Sequence, residues 1–147
     1  MDGVEDLHGD PFGTLLGYHL RRASVAVMAD LTASLAPLEL SPVEASVLFV
    51  IGAAGGVTQA EIGRRLGIAR ANMAPLMARL IQTGLVGREA VDGRSQALTL
   101  TPRGRETHDK ARAAAGAHEA RLFGGLTPAE RAKMLARLRA LWQAAGM

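Results

Sequence analysis

The sequence predicts a mostly α-helical chain that carries one small β-hairpin. Three observations support this. Between Thr58 and Thr83, two short segments with helical apolar spacing, TQAEIGRRL and ARANMAPLMARLIQT, flank Gly67-Ile68; two helices on a Gly-containing turn fit a helix-turn-helix. Past Gly84 the pattern changes period, with Leu85, Val86 and Arg88 before Asp92-Gly93 and Ala97 to Leu100 after it, which reads as two strands around a strong hairpin-turn dipeptide. Longer segments on either side repeat apolar residues every three or four positions, the spacing of amphipathic helices. Helix, turn, helix and hairpin in that order make a winged helix-turn-helix. We place it at residues 42–101 of a single domain, 1–147, with accessory helices at 11–36 and 102–147.

Taken in order, Met1 to Gly9 is polar and is expected to fray. Asp10-Pro11 supplies an N-cap followed by Pro at the first helical position. Phe12, Leu15, Leu16, His19, Leu20, Ala23 and Val27 then recur at helical spacing, up to a stop near Leu35 before Pro37. At about 1.5 Å per residue this helix spans roughly 37 Å, more than a small domain needs for its own core. Ser41-Pro42-Val43-Glu44 is a capping box, with Val47, Leu48 and Ile51 facing inward, and Gly52 to Gly56 is read as a flexible connection. Val57 is placed as a very short strand against the hairpin.

Thr58 and Glu61 form a second capping box. Ala60, Ile62 and Leu66 are assigned to the inward face, and Gly67 closes the helix. The next helix is assigned to Ala69–Thr83, with Met73, Leu76, Met77, Leu80 and Ile81 on its core face. Pro75 removes one backbone hydrogen bond inside it, so a local bend or an irregular first turn from Arg70 to Ala74 is expected, and the helix is expected to persist beyond it because the apolar spacing continues in phase. Thr101-Pro102 starts a helix to about Phe123, and Gly124-Gly125 breaks it. Thr127 to Glu130 is a third capping box, followed by the apolar stripe Met134, Leu135, Leu138, Leu141 and Trp142.

Charge is unevenly distributed. Residues 1–57 carry a net −5, residues 58–105 a net +5 and residues 106–147 a net +3. Six Arg on the helix-turn-helix and hairpin, with Arg103 and Arg105 just beyond, are the footprint of a phosphate-binding surface, so double-stranded DNA is the expected partner. The outer face of the second helix has small residues, Ala71, Ala74, Pro75 and Ala78 with Gln82, flanked by Arg70, Asn72 and Arg79. Small side chains let a helix backbone approach a major groove, where Asn pairs with adenine and Arg with guanine or phosphate. Arg88 and Arg94 bring positive charge to the hairpin, where an Arg suits the narrow minor groove and Asp92 is positioned to orient Arg94. Thr58 and Gln59, which open the first helix, complete the candidate DNA-binding set.

At these residues the sequence resembles the MarR family of bacterial transcriptional regulators. Asp92-Gly93-Arg94 matches the Asp-x-Arg of that family's wing, and Leu100, Thr101 and Gly104 match the Leu-Thr-x-x-Gly that follows. GLVGRE before it is similar to the strand leading into the wing, whereas Pro75 stands where a polar or basic residue is usual. The resemblance implies that the terminal helices of two subunits interlock. The long apolar stripes point independently to the same homodimer. It also implies a small aromatic or anionic effector bound between the dimer helices and the winged domain. Tyr18, His19 and Arg22 are the candidates to meet it, Tyr18 by stacking and Arg22 at a carboxylate. ANMAPLMARL together with DGRSQALTLT looks like the branch that senses aromatic acids or their thioester conjugates.

Other chemistry finds little support. Cysteine is absent, and His8, His19, His108 and His118 have no His at i+3 or i+4, so no metal or cofactor is expected. No phosphate-loop or nucleophile-elbow motif occurs, and no enzyme is expected. No run of 18 apolar residues and no basic leader is present, so no membrane association and a cytoplasmic location are expected. The sequence therefore predicts a ligand-responsive, homodimeric DNA-binding regulator, read as a repressor released by its effector. The alternatives are an architectural DNA-binding protein without an effector and a winged-helix module that uses its Ala-rich face against protein.

Overall fold

The computed structural model describes residues 10–146; the expectation for Met1 to Gly9 lies outside them. The elements run α1 (Leu16–Leu35), a 3-10 turn (Ala36–Leu38), α2 (Pro42–Ala54), α3 (Gln59–Leu66), α4 (Arg70–Gln82), β1 (Val86–Ala90), β2 (Gln96–Leu100), α5 (Pro102–Phe123) and α6 (Pro128–Ala144). All three capping boxes form, at Ser41/Glu44, Thr58/Glu61 and Thr127/Glu130, each with reciprocal bonds between side chain and backbone. Gly67 ends α3 at φ 65°, in the left-handed region that L-residues disfavour. Among the described residues no single helix is long and apolar enough to cross a membrane.

The core belongs to the winged region. Val47, Leu48 and Ile51 of α2, Ile62 of α3, Met73, Met77 and Leu80 of α4, and Val86 and Leu98 of the hairpin form one buried cluster, joined by Leu35 and Ala111. β1 and β2 pair antiparallel from Val86↔Leu100 to Ala90↔Gln96. Val57 adds an isolated bridge to Leu98, so the hairpin is tied to the start of the helix-turn-helix.

Three assignments change. α1 begins at Leu16, because Asp10 Oδ1 accepts the Phe12 N–H and closes a separate turn instead of capping the helix; its 20 residues span about 30 Å. α2 continues through Gly52 and Ala53 to Ala54, and Gly55 at φ 65° and Gly56 at φ 115° turn the chain. Gly52 is fixed by packing: a Cβ there would lie 2.6 Å from His108 Nε2 of α5. On α3, Ala60 is exposed and Gly63 is buried in its place. A side chain at Gly63 would approach the Ile68 carbonyl at 3.2 Å, so the missing Cβ lets the turn close. As expected, α4 persists past Pro75, and its first turn is the irregular part, with the Asn72 N–H donating to the Ala69 carbonyl three residues back.

The return from the hairpin into α5 explains the Leu-Thr-x-x-Gly spacing. Thr101 Oγ1 accepts the Gly104 N–H at 2.9 Å and donates to the Gly84 carbonyl at 2.6 Å. α5 thereby starts directly against the turn after α4. A Cβ at Gly104 would lie 1.9 Å from the Leu85 carbonyl oxygen. Gly104→Ala is expected to cost about 3 kcal/mol or more, at or beyond the upper end of ordinary overpacking because the obstacle is backbone. Thermal melting should show a clear drop for Gly104→Ala and little change for Gly116→Ala, which meets open space.

Candidate nucleic-acid interface

α4 is held by one side. Met73, Met77 and Leu80 are buried, and Arg70, Ala71, Asn72, Ala74, Pro75, Ala78, Arg79 and Gln82 are exposed. The exposed face therefore stands outward with its backbone close to the surface, as the spacing predicts. Thr58 and Gln59 are half-buried. Thr58 Oγ1 accepts the Glu61 N–H and donates to Glu61 Oε2 at 2.9 Å. Gln59, Ala60, Arg64 and Arg70 line a hollow of about 730 Å³ where α3 faces the start of α4. Arg64 was not singled out from the sequence; the local charge and its exposed position on α3 are the only signals for it.

Arg79 sits apart from this group. Its Nε donates to Glu44 Oε1, and its Nη2 donates to the Glu39 carbonyl at 3.3 Å. The guanidinium is thus held against α2, 35 residues away in sequence, a pairing that local spacing does not reveal.

The wing differs from the expected hairpin in its turn. Val91 to Ser95 form a five-residue loop between Ala90 and Gln96, closed by the Val91 N–H donating to the Ser95 carbonyl. Gly93 is not among the glycines at positive φ, so a two-residue turn of the Asp-Gly type does not form. Asp92 Oδ1 instead accepts the backbone N–H groups of Arg94 at 3.0 Å and Ser95 at 2.8 Å. Asp92 therefore orients the loop backbone, not the Arg94 guanidinium as expected. Those two bonds hold the Asp92 carboxyl below the usual carboxylate range. Arg88 Nη1 donates to Gln96 Oε1 across the strands at 3.2 Å, and Arg94 stays exposed at the tip.

At the other end of the molecule, Tyr18, His19 and Arg22 come together. The Tyr18 ring stacks on Phe12 with centroids 4.7 Å apart. Arg22 Nη1 donates to Tyr18 Oη at 3.2 Å, and His19 Nε2 lies 3.1 Å from the Gly13 carbonyl. A second polar group, which sequence spacing missed, joins α1 to α5. His118 Nδ1 lies 2.6 Å and Arg121 Nη2 lies 2.5 Å from Asp30 Oδ2, and Arg121 also donates to Ser34. These hydrogen bonds hold Asp30 below the usual carboxylate range.

Comparison with known proteins gives the arrangement a family. A MarR family profile matches residues 38–95. The HTH-type transcriptional repressor Rv2887 of Mycobacterium tuberculosis is 33% identical over 114 residues, 76% of this chain and 82% of that protein. The chain belongs to the MarR family. Among solved structures, the transcriptional repressor CouR bound to a 23-mer DNA duplex is 37% identical, covering 86% of this chain and 92% of that one at a TM-score of 0.79. CouR bound to p-coumaroyl-CoA is 34% identical, with 92% and 97% covered and a TM-score of 0.80. Rv2887 in complex with salicylic acid is 31% identical, with 86% and 95% covered and a TM-score of 0.67.

Within this MarR-family fold, the wing loop should depend on pH through Asp92. Its folded pKa lies below the unfolded value of about 3.9. The stabilisation is thus complete well above that value and is lost as pH falls through the folded pKa. NMR titration of the Arg94 and Ser95 amides should give a shared midpoint below 3.9, and Asp92→Asn should abolish the transition. An ordinary or raised midpoint would contradict the loop geometry.

Proposed function

We propose that this chain is a homodimeric repressor that holds a pseudo-palindromic operator and releases it on binding a small aromatic acid or its thioester conjugate. One observation carries the DNA-binding part. The core fixes α4 so that Arg70, Ala71, Asn72, Ala74 and Pro75 face outward beside a wing that presents Arg94. With α4 in the major groove, Asn72 reads a base edge and Arg70 meets a base or phosphate, while Arg94 reaches the flanking minor groove. Arg88 and Gln59 supply polar contacts at the margins, and Thr58 positions the start of α3. No side chain caps α4 at Ala69, which leaves the Arg70 and Ala71 N–H groups to meet a phosphate, while the Asn72 N–H is held by the Ala69 carbonyl.

The dimer reading rests on the ends of the chain. Phe12, Leu16, Leu20, Val25 and Met28 toward one end and Met134, Leu135, Leu138, Leu141 and Trp142 toward the other are exposed large apolar residues. A second copy covering both stripes removes a cost that water imposes on one copy alone. Two-fold symmetry then offers two α4 helices to half-sites about one helical turn apart. Such a protein acts on DNA in the cytoplasm.

The effector reading rests on the α1 cluster and on the ligands of the relatives. Phe12 and Tyr18 offer an aromatic stack, and Arg22 offers a cation for a carboxylate, as soon as it leaves the Tyr18 hydroxyl. Effector binding that favours one arrangement of the subunits shifts the spacing of the two α4 helices by its differential affinity alone.

The test is a salt titration of binding to the DNA upstream of the chain's own gene and to random DNA of equal length, with aromatic carboxylates and their thioesters added singly. A preference for the upstream DNA that one compound removes supports the reading. Equal, steeply salt-dependent binding with no compound effect makes it an architectural protein. Asn72→Ala should relax preference at one base pair by about 1–3 kcal/mol, while Arg94→Ala should weaken binding to all sequences and lower the salt slope by about 1. Arg22→Ala should keep DNA affinity and lose the response to the active compound.

A further inference from the structure

We infer that Arg79 and Glu44 form a clamp that sets the orientation of α4, so that Arg79 is a positioning residue for DNA recognition and not a DNA contact. The inference rests on the DNA-binding reading above. Glu44 is 4% exposed, yet both of its oxygens are engaged. Oε2 accepts the Ser41 N–H at 2.7 Å and completes the cap of α2, and Oε1 accepts from Arg79 Nε. The same guanidinium reaches the Glu39 carbonyl. Glu39 ends the 3-10 turn that follows α1, and at φ 54° it is the only non-Gly residue at positive φ among the described residues. Three places therefore meet at one ion pair: the exit from α1, the first turn of α2 and the last turn of α4.

The physical need for such a clamp follows from how α4 is packed. Its apolar contacts come from one face, with Met73, Met77 and Leu80 buried and Leu76 and Ile81 half-buried beside them. A single stripe resists lateral displacement better than it resists roll about the helix axis. Arg79 lies off that stripe and pulls on the C-terminal end, so it fixes the roll that places Arg70 and Asn72 at the other end. A carboxylate as buried as Glu44 also demands its partner, because an unpaired buried charge is costly. Arg79 itself is 58% exposed along its side chain, so the core does not need it as filler. A hollow of about 220 Å³ beside the pair, lined by Glu39, Glu44, Arg79, Thr83 and Arg103, leaves space for the clamp to rearrange. A shift of α1 in the dimer reaches α4 by the same route, through Glu39.

The experiment uses the full chain as wild type, Glu44→Gln, Arg79→Gln and the double variant, on DNA that the wild type selects from a random pool. Gln at position 44 still accepts the Ser41 N–H, as Gln does in capping boxes, but it loses the charge that holds Arg79. Each single variant is expected to lose about five- to tenfold in affinity, and the double variant no more than the weaker single one, because the two residues act as one unit. The salt slope should stay at the wild-type value. The preference for native half-site spacing over sites with one base pair inserted or removed should flatten in both single variants. A general loss of stability would not change that spacing preference. Should Glu44→Gln fail to fold, the exposed Arg79→Gln variant decides by slope and spacing alone. A slope lowered by about 1 in Arg79→Gln, with Glu44→Gln unaffected, would make Arg79 a phosphate contact and overturn the clamp. Unchanged spacing preference in both variants also overturns it while leaving the regulator reading intact. A wild type that selects no sequence removes the DNA-binding reading and the clamp with it.

Discussion

The burial of Met73, Met77 and Leu80 is the constraint on which the rest of the structure depends. All three have almost no surface in contact with water, and removing one such side chain typically costs about 2–5 kcal/mol. Because they occupy one stripe of α4, their burial decides which residues face outward. The outer face is consequently built from small groups, and it stands beside a wing that Val57 ties back to the same core through Leu98. Recognition helix and wing thus share one foundation, and a change in either reaches the other through a few packed residues.

The other constraint is what this core leaves uncovered. Leu35 and Ala111 join the terminal helices to it, but α6 has no buried residue at all. α1 and α5 are instead linked by the Asp30, His118 and Arg121 group, and α6 is tied to α5 by the Arg131–Glu119 ion pair at 2.5 Å. Polar links fix the relative position of these helices while their apolar stripes stay free for a second copy. That division fits the proposed dimer, in which a shift between subunits would leave the winged core intact. The 3-10 turn between α1 and α2 is where such a shift meets the DNA-reading half.

Much of this was legible in the sequence because caps and periodicity are local. Three capping boxes, the Gly67 stop and the apolar stripe of α4 each follow from residues within four positions of one another, and each formed. Family-like spacing at Leu100, Thr101 and Gly104 instead reflects a longer-range fit, the approach of α5 to the Gly84 and Leu85 carbonyls. Misreadings arose where a distant partner or a competing local bond decided the outcome. Gly52 looked like a hinge and is helical, held against His108. Asp10 looked like a helix cap and closes its own turn. Arg79 lies on the exposed face of α4 as its spacing predicts, and only its pairing with Glu44 of α2 was hidden from local spacing. At Asp92 the expected pairing with the Arg94 side chain gives way to two backbone bonds, because the carboxylate accepts the N–H groups of Arg94 and Ser95. Pro75 left α4 unbroken because the core stripe continues in phase on both sides of it.

The central claim is that paired α4 helices read two half-sites while the wings reach the flanking minor grooves. Hydroxyl-radical footprinting on DNA selected from a random pool tests this most directly. The account predicts a two-fold symmetric footprint whose two halves are centred about one helical turn apart, 10–10.5 base pairs, with minor-groove protection outside each half that Arg94→Ala removes. A single unbroken footprint with no symmetric pair, or flanking protection that survives Arg94→Ala, would contradict it.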